Sequence, residues 1–482
     1  MDLFIFWVKI NKGEKTKGGD RLNIGIILAA GEGKRMKSKH AKVLHKICGK
    51  PMISYVIEEA HRAGIQKIIV VVGHKKEELM EYLKDFDIII KEQPIEETSP
   101  YGTAFAVSQA IDEVQDDDNV IVLCADTPLV TSESISSLIE YHKNTQSAAT
   151  VLTTELEDPT GYGRIISDDN GDLIKIVEDK DASCDEKKIK EINSGIYCFN
   201  GRSLKESIGK IGNENKQNEY YLTDAIEILN SEGVKVSAYK INDCEEILGV
   251  NSREQLAMAA KIMQKRINKF HLDNGVTIVD LDNTYIEPNV VIGSDTVIYP
   301  GAMIETNSII GQNCKIVGNT RIVNSVIGNG CDIDSTLIES SKIGSNCHIG
   351  PFAHLRPNCN IGSNVKIGNF VEIKNSNIGD NSKAAHLSYV GDADVGKNVN
   401  IGCGVVFVNY DGKNKFRSTI KDNAFIGSNS NLVAPVVIEE YGYVAAGSTI
   451  TDDVNEGDLS IARARQVNIP GWVEKKGFKN HK

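Results

Sequence analysis

A six-residue repeat in the second half of the 482-residue chain limits its fold more than any other feature. From about Ile292 to Thr451, an Ile, Leu or Val returns every sixth residue, often followed by Gly, as in Ile343-Gly344 and Ile349-Gly350. A period of six fits no helix, whereas residues one and five of a hexad lie on the same side of a strand. The repeat therefore predicts short strands coiled into a parallel β-helix whose turns bury their interior by stacking, rather than an ordinary β-sandwich.

The second and fifth places of the hexads carry further predictions. Glycine in the second place predicts corners that need the backbone freedom that a Cβ restricts. The fifth place is usually small, and we expect it to face the interior of the coil. Its members include Thr296, Cys314, Cys331, Cys347, Cys359, Val365, Val371, Ser382, Val399, Val405 and Ser430.

Composition excludes several classes of function. The formal net charge is -12 and no block of Lys or Arg stands out, which argues against nucleic acid or an anionic membrane as a partner. The 10 cysteines form neither a CxxC pair nor a dense framework, which argues against zinc and a secreted disulfide scaffold and favours a reducing cytoplasm. No stretch is long enough to predict a membrane span. Residues 1–22 are predicted to be a poorly ordered extension.

The first half of the chain alternates predicted strands and helices, which favours a mostly parallel sheet with helical crossovers. The predicted elements are strands at 22–28, 67–72, 88–90 and 120–124, and helices at 52–64, 76–83, 103–114 and 252–271, the last of which links the two halves. Ligands of such sheets bind at the carboxyl ends of the strands, where Arg35 and Asp126 lie.

Two features at these strand ends are candidates for phosphate chemistry. The stretch from Ala29 to Met36 is Gly-rich and cationic, as suits phosphate, although such loops are often plain turns and this one lacks the Walker ending. Asp126 follows a strand directly and is a candidate metal ligand, although an isolated Asp there is more often a helix cap.

Several motifs together resemble those of the sugar-1-phosphate nucleotidyltransferases. They are Leu28-Ala29-Ala30-Gly31 with Gly33 and Arg35-Met36, Lys42-Val43-Leu44, Gly161-Tyr162-Gly163-Arg164, Ile176-Val177-Glu178, the stretch from Glu191 to Tyr197, and Gly249-Val250-Asn251. Combined with the hexads, the resemblance from about Asn23 to Trp472 narrows to the bifunctional enzymes that act as glucosamine-1-phosphate N-acetyltransferase and N-acetylglucosamine-1-phosphate uridylyltransferase.

The resemblance implies a fold and a division into domains. A Rossmann-like α/β nucleotidyltransferase domain with a mostly parallel sheet would span residues 23–251, followed by a helical linker at 252–272. A left-handed parallel β-helix of hexapeptide repeats would form the acetyltransferase domain at 273–455, with a tail at 456–482. The resemblance also implies a homotrimer whose acetyl sites draw on neighbouring chains.

For uridylyl transfer, the resemblance implies Mg²⁺ on Asp126 and Asn251, and Arg35 and Lys42 as the catalytic cations that meet UTP and the sugar phosphate. Gly163, Glu178 and Asn193 would hold the hexose. The remaining UTP and sugar positions would be Leu28, Ala29, Ala30, Gly31, Gln93, Gly102, Thr103, Cys124 and Ala125. Two departures concern contacts with the base: extra residues separate Gln93 from Gly102, and Ala125 stands where the family has Gly.

For acetyl transfer from acetyl-CoA to glucosamine-1-phosphate, a general base is required because the amine is largely protonated near neutral pH. The resemblance implies that His386 is this base, although a lone His on a polar solenoid face is more often just a surface residue. Arg356, Lys374, Tyr389 and Asn400 would bind the amino sugar phosphate. The acetyl-CoA positions would be Cys403, Asn409, Tyr410, Ser428, Ala446 and Arg463, among which Cys403 replaces the family's Ala and is either a reactive thiol or an inert wall residue.

Two other functions remain open from the sequence. The chain could be a single-activity nucleotidyltransferase whose coil only assembles or regulates, or a scaffold with a decayed first domain. His386 and the polar loop Asn409–Lys415, which interrupts the hexads, argue against a purely structural coil. Arg35, Lys42, Asp126 and Asn251 argue against a decayed domain.

Overall fold

The computed structural model of the protein describes residues 21–96 and 99–478, and these form two compact units that divide between Met263 and Gln264. The prediction for the extension at 1–22 falls almost entirely outside the described residues. Within those residues, no helix is long and apolar enough to cross a membrane.

The first unit is built on a mixed, mostly parallel sheet, as predicted. Its strands lie in the order Val236–Lys240, Ala149–Glu155, Glu191–Asn200, Asn119–Cys124, Asn23–Ala29, Lys67–Val72 and Ile89–Glu92. Among these seven strands of the described residues, Glu191–Asn200 alone runs antiparallel to both of its neighbours. The hairpin of Arg164–Ser167 and Leu173–Val177 joins the sheet through Glu191–Asn200.

Helices cover both faces of this sheet and produce two apolar cores. Along Asn23–Ala29, Ile26 faces one core and Ile27 the other, as the alternation of a strand requires. Within residues 21–96 and 99–252, the α-helices are Met52–Arg62, Lys76–Leu83, Thr103–Ser108, Ser132–Thr145, Gly201–Ile208 and Asp224–Ser231. Short 3₁₀ turns occur at Lys34–Met36, Lys42–Leu44, Ile111–Glu113, Glu186–Lys188 and Cys244–Ile247, and a small hairpin pairs Lys46–Ile47 with Lys50–Pro51.

The helix predicted at 103–114 is shorter than expected. It ends at Ser108, and a separate 3₁₀ turn follows at Ile111–Glu113. The hydroxyl of Ser108 and the side-chain amide of Gln109 both donate to the carbonyl of Phe105, at 2.8 and 3.0 Å. Side chains that compete for helix carbonyls in this way weaken continuation of the helix.

A helix at Arg253–Asp273 lies where the sequence predicts one, and the second unit then continues as a left-handed parallel β-helix. Every strand pairs in parallel with the strand one coil later, which produces three sheets. The first contains Thr277–Ile278, Val297–Ile298, Lys315–Val317, Asp332–Asp334, His348–Ile349, Lys366–Asn369, Lys383–His386, Asn400–Ile401, Phe425–Ile426, Tyr443–Val444 and Leu459–Ser460.

The other two sheets follow the same rule. The second contains Tyr285–Ile286, Met303–Glu305, Arg321–Val323, Leu337–Glu339, His354–Leu355, Glu372–Lys374, Tyr389–Gly391, Val406–Val408, Asn431–Val433 and Thr449–Ile450. The third contains Val291–Ile292, Ile309–Ile310, Val326–Ile327, Lys342–Ile343, Asn360–Ile361, Asn377–Ile378, Ala393–Val395, Ser418–Ile420 and Val437–Ile438. A short helix, Trp472–Lys475, follows the β-helix.

The fifth places of the hexads are buried as predicted, but the reason given for glycine in the second place holds at Gly350, with φ 102°, and is wrong at Gly344. The left-handed backbone conformation belongs to the fourth place, as at Asn346 with φ 57°. At the second place, a Cβ on Gly344 would lie 2.7 Å from the backbone of Gly362 in the next coil. Glycine is needed there because successive coils approach closely, while Asn tolerates the left-handed corner.

Candidate active sites

A cavity of about 210 Å³ opens at the carboxyl ends of Asn23–Ala29 and Asn119–Cys124, where the parallel sheet predicts a ligand. Ten of the predicted UTP and sugar residues line it: Leu28, Ala29, Ala30, Gly31, Lys42, Gln93, Gly102, Thr103, Cys124 and Asp126. Val43, Tyr101, Ala106 and Glu219 complete the lining and were not predicted. Tyr101 and Glu219 carry no motif, so only the fold could have placed them here.

The Lys42 ammonium joins the two predicted metal ligands. Its Nζ lies 2.5 Å from Oδ2 of Asp126 and 3.0 Å from Oδ1 of Asn251. The backbone holds this arrangement, because the amide of Val250 donates to the carbonyl of Asp126 at 2.8 Å. The carboxylate and amide oxygens therefore converge on one cation, although they are far apart in sequence.

The Gly-rich loop is shaped around Lys42. Gly33 has φ 68°, and a Cβ there would lie 2.8 Å from Cβ of Lys42, so any larger residue would displace the lysine. Arg35 lies on the exposed 3₁₀ turn Lys34–Met36 and does not line the cavity. The predicted catalytic cations are thus placed differently, with Lys42 inside the cavity and Arg35 on the surface of the loop.

The segment expected to read the base also lines the cavity, through Gly102 and Thr103. Gly102 has φ 132°, and a Cβ there would lie 2.3 Å from the carbonyl oxygen of Tyr220. The hydroxyl of Thr103 accepts from the amide of Leu222 at 2.9 Å, which anchors the start of the helix. Gln93 is 4% exposed and lines the same cavity, so the extra residues between Gln93 and Gly102 do not separate the two.

Of the predicted hexose residues, Gly163 and Asn193 are directly hydrogen-bonded to each other, and neither they nor Glu178 line the cavity. The amide of Asn193 donates to the carbonyl of Gly163 at 2.9 Å, and its side chain donates to the hydroxyl of Tyr197 at 2.7 Å. Asn193 Oδ1 also accepts from the amide of Gly195 at 2.9 Å, and the carbonyl of Gly195 lies 3.6 Å from Sγ of Cys124 in the cavity wall.

Two ionisable groups near this cluster have raised pKa values. Burial raises the pKa of Glu178, and the negative charges of Asp224, Asp181 and Glu219 act in the same direction, whereas a hydrogen bond from Thr223 opposes them. Burial raises the pKa of the Cys124 thiol to about 12, and Asp126 adds to the shift. Cys124 is therefore a neutral wall residue rather than a nucleophile.

In the second unit, His386 lies at the exposed end of Lys383–His386. Its Nδ1 lies 2.7 Å from the side-chain oxygen of Asn369, the residue paired with it on the preceding coil. The sequence reasoning missed Asn369, because the coil-to-coil register that pairs it with His386 was not assigned. Pairing His386 with the residue one coil earlier, which is 17 positions back in the sequence, would have identified Asn369.

A polar network surrounds the predicted sugar residue Tyr389. The Asn409 amide lies 3.5 Å from the hydroxyl of Tyr389 and donates to Oδ2 of Asp392 at 2.5 Å. Asn375 donates to the other oxygen of Asp392 at 2.5 Å. Although burial raises the pKa of Asp392, these two hydrogen bonds and the charges of Lys374 and Lys415 hold it below its usual value. Asp392 is thus an ionised anchor for Asn409.

Cationic groups gather on the same side of the coil. Arg356 forms an ion pair with Glu372 at 3.0 Å, and Glu372 pairs in register with Tyr389. The neighbouring Lys374 ammonium lowers the pKa of Lys415, which places two positive charges close together. Two adjacent ammonium groups suit a phosphate. The sequence reasoning assigned no role to Lys415 or Glu372.

The predicted acetyl-CoA residues include a column along one corner of the β-helix. The carbonyl of Cys403 accepts from Asn429 at 2.7 Å, and the carbonyl of Ser428 accepts from Gly447 at 2.8 Å. Ser428 and Ala446 thereby follow Cys403 on successive coils, and the side chain of Arg463 approaches Gly447. Cys403 is half-buried, unlike the buried fifth-place cysteines, and its reactivity stays a prediction. Asn400 lies in the strand Asn400–Ile401, which leads directly into the corner at Cys403.

The loop that interrupts the hexads is closed by its own hydrogen bonds. Tyr410 and Lys415 form an antiparallel bridge, and the hydroxyl of Tyr410 donates to the carbonyl of Gly412 at 2.6 Å. Asp411 accepts from the amides of Lys413 and Asn414 at 2.7 and 2.6 Å. The loop is therefore an ordered projection that carries Tyr410 and Lys415 outward beside Asn409.

Comparisons with known proteins find matches for both halves of the chain. Residues 24–245 match the nucleotidyl transferase family, residues 340–375 match the bacterial transferase hexapeptide repeats, and residues 286–356 match the GMPPB C-terminal domain. The chain is 56% identical over 455 residues to the Bifunctional protein GlmU of Clostridioides difficile (strain 630), covering 94% of this chain and 98% of that relative. The protein of the same name from Alkaliphilus oremlandii (strain OhILAs) is 54% identical over 454 residues, with the same coverage.

Proposed function

The chain belongs to the family of bifunctional GlmU proteins, and from that premise we propose which of its residues carry each of the two reactions. It is a bifunctional transferase that makes UDP-N-acetylglucosamine by acetyl transfer and uridylyl transfer. We propose that acetyl-CoA and glucosamine-1-phosphate are the substrates of the first step, and UTP and N-acetylglucosamine-1-phosphate those of the second. The convergence of Asp126 and Asn251 on Lys42, which lines the cavity of the first unit, is the observation that best supports the assignment of the second step.

Nucleotidyltransferases of this family need a divalent metal, and we propose that it is Mg²⁺ held by Asp126 and Asn251. The donor set fits, because two oxygens converge on one point and Mg²⁺ binds few protein oxygens while it keeps waters and substrate phosphates. When bound, the metal would neutralise charge on the phosphates.

The chain's own residues would orient the uridylyl transfer. Lys42 and Arg35 would neutralise the triphosphate and the sugar phosphate while a phosphate oxygen of the sugar attacks the α-phosphorus and pyrophosphate leaves. Gly163, Glu178 and Asn193 would hold the hexose. Burial raises the pKa of Glu178, so in its protonated form it could donate a hydrogen bond to a sugar hydroxyl.

In the second unit, we propose that His386 takes the proton from the amine of glucosamine-1-phosphate as the nitrogen attacks the thioester carbonyl and coenzyme A leaves. Arg356, Lys374 and Lys415 would bind the sugar phosphate, and Tyr389 and Asn400 the sugar. Asn409, Tyr410 and the column of Cys403, Ser428, Ala446 and Arg463 would contact acetyl-CoA. The ionised Asp392 would keep Asn409 in place.

Hexapeptide repeats favour oligomers, and we propose a homotrimer. Phe352, Phe370 and Leu387 lie at one corner of successive coils and are 59, 56 and 58% exposed in the single chain, which suits burial against another copy. Sedimentation equilibrium should give three times the mass of one chain. A monomer that retains full acetyl transfer would contradict the trimer. We also propose a cytoplasmic location, since no disulfide links the cysteines of the described residues and reducing conditions keep thiols in that state.

Supplying substrates singly and together tests the whole proposal against the single-activity alternative. With glucosamine-1-phosphate, acetyl-CoA and UTP all present, UDP-N-acetylglucosamine should accumulate. Without UTP, the product should stop at N-acetylglucosamine-1-phosphate. With N-acetylglucosamine-1-phosphate and UTP, acetyl-CoA should be unnecessary. If the last mixture reacts but no coenzyme A is ever released from acetyl-CoA, the chain has only the nucleotidyltransferase activity.

A further inference from the structure

We infer that Asn369 is a positioning residue for acetyl transfer, because its side-chain oxygen holds His386 in the tautomer that can act as a base. This inference rests on the proposed role of His386. It adds a residue from the preceding coil to the site, and it assigns that residue a task distinct from binding either substrate.

The contact between the two side chains determines which ring nitrogen is available. Nδ1 of His386 lies 2.7 Å from Oδ1 of Asn369. An amide oxygen can only accept, so Nδ1 carries the hydrogen. In the neutral ring, Nε2 then has the free lone pair and points away from Asn369. A base that accepts a proton from an amine needs such a lone pair, directed at the substrate.

The backbone holds both residues in register. Asn369 ends Lys366–Asn369 and His386 ends Lys383–His386, and the two are partners in the parallel ladder. The amide of Leu387 donates to the carbonyl of Asn369 at 3.0 Å, and the hydroxyl of Ser388 donates to the carbonyl of His386 at 2.8 Å. The backbone positions of both residues are therefore fixed, and the hydrogen bond between their side chains restricts rotation of the imidazole ring.

The hydrogen bond between Asn369 and His386 contributes little to the stability of the folded protein. The hydrogen bond lies at the surface of the coil, where water can replace either partner, so its net contribution to folding is small. Asn377 forms a comparable bond on another face, from its amide to Oδ1 of its register partner Asp394 at 2.6 Å. Asn377 thus provides a matched control for the loss of one exposed bond between coils.

The test compares Asn369→Ala, Asn369→Asp and Asn377→Ala in the full chain. Asn369→Ala should lower kcat for acetyl transfer roughly tenfold, as expected for loss of a group that orients a functional histidine, with KM unchanged. Asn369→Asp keeps the acceptor oxygen and should restore most of the rate. Its carboxylate favours the charged imidazolium, so the acidic limb of its pH profile should move to higher pH. Asn377→Ala should behave as the parent.

Other ionisable groups at neighbouring positions, namely Lys366, Lys383 and Cys403, are the same in all variants. Uridylyl transfer and sedimentation monitor the fold. An Asn369→Ala protein with the parent's kcat, or an Asn369→Asp protein as slow as Asn369→Ala, would overturn the inference. An equal loss in Asn377→Ala would do the same, since it would assign the effect to general loosening of the coil. If His386→Ala itself retained acetyl transfer, the proposed base would be wrong, which is a separate failure.

Discussion

Replacing Asp126 by Ala is expected to abolish uridylyl transfer while acetyl transfer continues at the parent's rate. The change removes one of the two oxygens that converge on Lys42 in the cavity. It should lower kcat/KM by at least about 100-fold, because a bound metal stabilises charge by several kcal/mol and each ~1.4 kcal/mol corresponds to a factor of ten. Pyrophosphate release from UTP measures the first activity, and release of coenzyme A measures the second.

Asp116→Ala provides the matched control for this change. Asp116 also pairs with a lysine, Lys205, at 2.9 Å, but it precedes the strand Asn119–Cys124 and so lies at its amino end, whereas Asp126 follows its carboxyl end. Asp116→Ala should therefore keep both activities. Direct titration with Mn²⁺ adds a measurement that does not depend on turnover, and binding should weaken in Asp126→Ala only. Uridylyl transfer that survives in Asp126→Ala would remove Asp126 from the site.

Most residues predicted for the first site lie together in the structure because they belong to motifs at strand ends. The strand Lys67–Val72 and the helix Lys76–Leu83 have the predicted bounds. The strand is a buried run of β-branched residues, a composition that favours β-structure. Asp126 and Asn251 meet because the backbone segments that carry them are hydrogen-bonded, with the amide of Val250 donating to the carbonyl of Asp126. Tyr101 and Glu219 escaped prediction, since their place in the cavity depends on how Gly102 packs against Tyr220.

The second site was predicted less completely for a physical reason. In a solenoid, the neighbours of a residue lie one coil away, and coil length varies wherever a corner is shortened or a loop is inserted. Asn369 and His386 are 17 residues apart, whereas Asn398 and Asn423 are 25 apart because the loop at 409–415 intervenes. The period of six identifies the fold and the inward positions, but it does not fix which outward side chains meet. The second-place glycines show the same limit of the hexad pattern, because what requires glycine there is the close approach of an adjacent coil.

His386→Ala is expected to have the opposite effect to Asp126→Ala. Without the imidazole, nothing at that position can accept the proton of the amine, so acetyl transfer should fall by ~10²- to 10⁴-fold, the range typical of a lost general base. Uridylyl transfer should be unchanged, because Asp126 and His386 belong to different compact units. Release of coenzyme A from acetyl-CoA with glucosamine-1-phosphate gives the first rate, and pyrophosphate release with N-acetylglucosamine-1-phosphate gives the second.

His348→Ala is the matched control, because His348 is also an outward histidine on the same sheet of the β-helix, where it lies 3.5 Å from Asp332. It should keep both activities, since nothing places it beside Tyr389 or the loop at 409–415. A parental rate of acetyl transfer in His386→Ala would show that His386 is an ordinary surface residue. Loss of both activities in a folded His386→Ala protein would contradict separate sites. Loss of acetyl transfer alone, with His348→Ala unaffected, requires that the coil itself carries the acetyl chemistry, because a coil that only assembles the protein has no need of one particular histidine.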